Sequence, residues 1–224
     1  MSKKYINFPI TLLAGAFDNI MHVCDNIMDY AIYKHYLSLE HSKPEARINA
    51  AAGFFGIELK SPKSTLINGE QLYNKHSPPL AGINVDKAFE YMNELKTEFE
   101  VACFCAFCGI KSIVGNKEYC KTNKRLIIDR MFGLRDHKLK SKYSKRHHID
   151  KVLLELECYW GLCSYSNHQR GFYLSFKTDI DDLALKAEQG KASTKKAMLA
   201  LKKKGSKDKA LQHIYNTLKK ELEP

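Results

Sequence analysis

No stretch of the chain reaches the roughly 18 consecutive apolar residues that a membrane span requires, which argues against a helical membrane protein. The first residues, Met-Ser-Lys-Lys-Tyr-Ile-Asn-Phe-Pro, lack a long apolar core ending in a small-residue cleavage site, so no signal peptide is expected. A Gly-rich phosphate loop is missing, which argues against nucleotide hydrolysis. No internal repeat is detectable, so a solenoid is not expected. A second cysteine pair is missing as well. Cys105 and Cys108 form a C-x-x-C, but Cys120 stands alone, and Cys103, Cys105 and Cys108 sit in an apolar run where free Cys behaves as a small hydrophobe. Seven cysteines, an odd number, without a secretion signal predict reduced thiols in a cytoplasmic protein and no bound metal.

Catalytic signatures are equally sparse. His147 and His148 would point about 100° apart on a helix and rarely share an ion. No second acidic cluster supplies the rest of a two-metal site. Tyr143, Tyr159, Tyr165 and Tyr173 lie near the basic region, but Tyr159 and Tyr165 fall at packing positions, and no accompanying signature marks a nucleophile. The expectation is a protein without catalysis and without a cofactor.

What is present is a core and a charge asymmetry. With 44% apolar residues, the 224-residue chain can bury a proper interior. The net charge of +11 lies entirely in the second half. Residues 1–120 carry 12 basic and 13 acidic side chains, whereas residues 121–224 carry 24 and 12. That distribution suggests a neutral packing half joined to one that binds a polyanion.

Along the chain, the spacing of Ile10, Leu13, Phe17, Ile20, Cys24, Ile27 and Ala31 predicts one long helix over 7–39, with Asn7 as its cap. A shorter helix is expected over 44–56, weakened at its end by Gly53 and Gly56. Pro62, Asn68-Gly69, Pro78-Pro79 and Gly82 punctuate 58–84, which reads as loops with a short helix near 69–75. Residues 85–114 give the strongest helical pattern, and "FEVACFCAFCGI" within it is apolar nearly all round, as a helix buried on every face must be. Thr122 opens "TNKRLIIDRMFG", closed by Gly133, and a basic connector leads to Ser144 and a helix over 145–160. Its buried stripe is Ile149, Val152, Leu153, Leu156 and Tyr159/Trp160. Residues 162–167 and 171–177 alternate as a hairpin.

The order helix, helix, connector, helix, strand, turn, strand over about 99–178 resembles the winged helix-turn-helix DNA-binding superfamily. The resemblance makes "SKRHHIDKVLLELECYWGL" the recognition helix and "CSYSNHQRGFYLSF" the wing. It departs from a compact helix-turn-helix in the ten residues between Gly133 and Ser144, where a turn of about 3–4 is usual. Lys145, Arg146, His148 and Lys151 would then face the major groove. His168, Gln169 and Arg170 at the hairpin tip would lie over adjacent backbone, and Lys124 and Arg125 would contact phosphate.

The sequence therefore predicts a mainly α-helical protein. A helical N-terminal domain over 1–84, a candidate for homo-oligomerisation, is joined by a long central helix to a winged-helix domain with a small β-hairpin, together spanning 85–178. A basic, partly helical tail covers 179–224; Lys195, Lys196, Lys202, Lys203 and Lys204 in it could neutralise phosphates without reading sequence. The expected partner is nucleic acid, double-stranded DNA first, with no membrane. The expected use is as a transcriptional regulator or an initiator of replication or of a mobile element. RNA binding, nucleoprotein assembly or a scaffold with a basic face are the alternatives.

Overall fold

A period of two, not of 3.6, governs the first residues. Ile6 and Phe8 are buried while Tyr5 and Asn7 are exposed, and together they form strand β1 (Tyr5–Pro9). In the computed structural model, which describes residues 4–40, 43–133, 141–166 and 171–190, β1 pairs antiparallel with β2 (Leu80–Asn84), Ile6 opposite Ile83. The helix expected over 7–39 is therefore shorter. A 3-10 turn, Ile10–Leu13, follows β1, and α1 begins only at Ile20 and runs to Leu37. Asn19, not Asn7, is the cap: its side chain accepts from the His22 N–H at 3.0 Å. Helical spacing and strand alternation overlap across Ile6, Phe8 and Ile10, and pairing with β2 decides for the strand.

Among the described residues the fold is mainly helical with two small antiparallel sheets. Helix α2 (Pro44–Phe55) matches expectation and ends before Gly56. Helix α3 (Pro62–Lys75) is longer than the short helix expected, because Pro62 opens it at a position where no backbone N–H is needed. Asn68-Gly69, which reads as a turn, lies inside α3. There Asn68 Nδ2 donates to Asp29 Oδ2 of α1 at 2.7 Å, and Gly69 passes directly over the α1 backbone.

The segment expected as one helix over 85–114 is two. Helix α4 (Val85–Asn93) stops, and α5 (Glu98–Val114) starts at Thr97. Thr97 and Glu100 form a capping box, with the Thr97 hydroxyl accepting from the Glu100 N–H and Glu100 Oε2 accepting from the Thr97 N–H. Helix α5 is buried on nearly every side, as its composition demands, and touches β2, α6 and α7. Burial pushes the Cys103 thiol up to about 12 and those of Cys105 and Cys108 well above the ordinary range.

The described residues up to Thr178 form one compact unit whose core is continuous from Ile6 to Leu174. The boundary expected at 84/85 falls between β2 and α4, inside this core. After α5 come β3 (Cys120–Thr122), α6 (Lys124–Met131), a 3-10 turn over Lys142–Ser144, α7 (Arg146–Tyr159), β4 (Cys163–Tyr165) and β5 (Phe172–Ser175). Strand β3 was not expected. It pairs with β5, making a three-stranded sheet in the order β3-β5-β4. Thr122, expected to open the next helix, is a buried strand residue, and Asn123 is the cap instead, accepting from Leu126 N–H at 2.9 Å. Residues 180–190 form a helix of the second unit, and the Asp179 carboxylate accepts from the Asp182 N–H at 2.8 Å. Among the described residues no helix is long and apolar enough to cross a membrane.

Candidate nucleic-acid interface

Two helices begin side by side, and both begin with cations. Lys124 and Arg125 are the first two residues of α6, and Arg146 is the first of α7, with Lys145 as its N-cap. Neither first turn contains an acid. Since a helix N-terminus carries about half a positive charge, this is the unfavourable placement, costing about 0.3–1 kcal/mol per cation at an exposed site. Lys145 also supplies no side-chain acceptor to the first turn of α7, where its carbonyl accepts from the His148 N–H at 3.0 Å. Lys124 is relieved in part by an ion pair with Asp150, one turn into α7, which ties the two helices together.

Packing sets this arrangement. Gly109 of α5 lets α6 approach closely: a Cβ there would stand 3.1 Å from Arg130 Cβ and 3.3 Å from the Met131 nitrogen. Ile127, Ile128 and Met131 bury one side of α6, while Ile149, Val152, Leu153 and Leu156 bury one side of α7. Both N-termini then open onto a groove of about 710 Å³ lined by Lys121, Asn123, Lys124, Arg125, Arg146 and Ser166.

The structure thus brings together Lys124, Arg125 and Arg146. It does not gather the other predicted residues of α7 on the same side. Lys151 is exposed but lies five residues after Arg146, about 140° further round the helix. His148 packs against Tyr143 at 6.1 Å between ring centroids. Partial burial, and then the like charges of His147, Lys142, Lys145 and Lys151, hold its imidazole below the usual range. Ser144, expected to cap α7, ends the 3-10 turn instead. Tyr159, expected in the buried stripe, is 78% exposed; it is the last residue of α7, at the edge of the stripe and beyond the core contacts of Leu153 and Leu156. His168, Gln169 and Arg170, the predicted wing tip, lie outside the described residues, as do Lys195, Lys196, Lys202, Lys203 and Lys204.

Three groove residues escape a sequence reading centred on the α7 start: Lys121, Asn123 and Ser166. A signal for Lys121 exists. Cys120 and Thr122 are buried and Lys121 between them is exposed, the alternation of a short strand. Three residues are too few for that pattern to stand out without the partner strand.

No protein-family model matches the chain, and no match is found among curated proteins or among solved structures.

Proposed function

We propose that residues 98–176 form a winged helix-turn-helix domain and that the protein binds duplex DNA without catalysis. Helix α7 would be presented to the major groove, and the starts of α6 and α7 would grip phosphate. The observation that carries this is the convergence of two cationic helix N-termini on one groove. Each terminus alone is electrostatically unfavourable, and a phosphate placed between them offsets both. The order α5, β3, α6, α7, β4, β5 supports the same reading, with β3 anchoring the hairpin to the helices. Lys121 on β3 widens the cationic border of the groove. Transcriptional regulation and initiation of replication or of mobile-element transfer are different uses of one such domain, and the target site distinguishes them.

Fluorescence anisotropy with labelled duplex DNA across a salt series tests the proposal. The Lys124→Ala/Arg125→Ala double variant should weaken binding at every salt concentration and lower the log–log salt slope by roughly 2, one counterion for each phosphate no longer neutralised. Arg146→Ala should lower it by roughly 1. Affinity and slope equal to wild type in both variants would refute the groove as the binding surface. Equal or tighter binding to duplex RNA would replace DNA by RNA as the ligand.

A further inference from the structure

A second concavity lies at the opposite end of α7, about 20 Å along the helix axis from Arg146. Its volume is about 520 Å³, within the range of small-molecule sites. Tyr5, Phe107, Lys111, Tyr159 and Trp160 line it, together with the end of β2 and the start of α4. Two of its rings are left in solvent, Tyr159 at 78% and Tyr5 at 60% exposure. Trp160 is partly buried, its ring 5.1 Å from that of Phe107, and the Lys87 ammonium stands 4.6 Å from it.

Lys111, on the same lining, has no carboxylate partner among the described residues. The Lys111 ammonium lies 4.2 Å from the Phe176 ring and 5.3 Å from the Phe107 ring, and makes no ion pair among the described residues. Burial, followed by the like charge of Lys177, pushes its pKa down, so the charged form is held at a cost that an arriving anion would offset. The acids nearby do not fill that role. Glu90 is engaged by Lys87 at 2.6 Å and by Lys96 at 3.0 Å. Asp86, on the lining, is left to accept from an amino or hydroxyl group.

We propose that this pocket binds a nucleobase together with its phosphate, the base stacked against Tyr159 and Trp160 and the phosphate on Lys111. Exposed rings beside an unpaired ammonium are the pairing that recognises such a ligand, since every base has a π-face and carries an anion a few ångströms away. The ligand is either a free mononucleotide or one unit of a single strand. The site is separate from the cationic groove and does not rest on it.

Trp160 is the only tryptophan in the chain, so its emission reports the pocket directly. Titrating the full-length protein with AMP, dTMP and a short oligothymidylate should give saturable quenching. Tyr159→Ala and Lys111→Gln should each weaken it at least about fivefold, the lower end of what removing one stacked ring costs. The Lys124→Ala/Arg125→Ala variant should leave it unchanged, whether or not duplex binding survives. Quenching by the mononucleotides identifies a nucleotide site, whereas quenching by the oligomer alone identifies a single-strand site. The proposal is overturned if no probe quenches, if Tyr159→Ala and Lys111→Gln behave as wild type, or if the groove variant abolishes the signal. Tyr159 makes little contact with the core, so its replacement tests the pocket in a folded protein.

Discussion

Replacing Gly69 by Ala sets two effects of opposite sign against each other. In an ordinary helix interior the change stabilises, by about 0.8–1 kcal/mol, because glycine loses more backbone freedom on folding. At Gly69 the added Cβ would stand 2.6 Å from Tyr33 Cβ and 2.7 Å from the Asp29 carbonyl oxygen. Both obstructing atoms belong to the backbone region of α1, so neither can swing aside as a long side chain would. Helices α1 and α3 must separate, which disturbs the Asn68–Asp29 hydrogen bond and the Tyr33–Tyr73 ring contact. Overpacking of this kind costs about 1–3 kcal/mol. Set against the propensity gain, it leaves a net destabilisation of about 0–2 kcal/mol, in place of the gain an ordinary site would show. Gly53 is the internal control. It is exposed on α2 with nothing within 4 Å of a built Cβ, so Gly53→Ala should stabilise by about 0.5–1 kcal/mol. Urea denaturation followed by far-UV circular dichroism measures both. The reasoning fails if Gly69→Ala moves the midpoint upward alongside Gly53→Ala, for then α1 and α3 are not in the contact described.

Thr97→Ala should destabilise by about 1 kcal/mol, since it removes the hydroxyl that accepts from the Glu100 N–H and donates to the Glu100 carboxylate; a thermal melt of the variant should show a lower midpoint. Thiol labelling at pH 8 should separate the seven cysteines by burial. Exposed Cys158 should react first and half-buried Cys163 more slowly, while Cys24, Cys103, Cys105, Cys108 and Cys120 should react only on denaturation. Rapid native labelling of Cys103, Cys105 or Cys108 would mean that α5 is not the buried centre.

The burial of α5 was legible from composition alone. A segment such as "FEVACFCAFCGI" has no polar face to turn outward, so any fold that keeps it helical must surround it. The stripe of α7 through Ile149, Val152 and Leu156 was legible for a related reason: its period matches the helix, and nothing competes with it. The charge asymmetry between the halves needs only counting. Local signals were present but outweighed elsewhere. The Thr97-Glu100 capping box divides what periodicity joins into one helix, because the apolar spacing of α4 and α5 happens to continue in phase across the break.

Tertiary structure decided the rest, where a residue's role depends on what lies opposite it. Ile6 and Phe8 become strand residues only because β2, more than seventy residues later, pairs with them. Asn68-Gly69 has the chemistry of a turn, yet the close approach of α1 needs that glycine inside a helix. Strand β3 exists because β5 pairs with it. The candidate site divides the same way. The sequence by itself places Lys124, Arg125, Arg146, His148 and Lys151 near the starts of two helices, but cannot say how those starts are rotated toward each other. Packing of α6 against Gly109 and of α7 against α5 sets that rotation, joining Arg146 to Lys124 and Arg125 and turning His148 and Lys151 elsewhere.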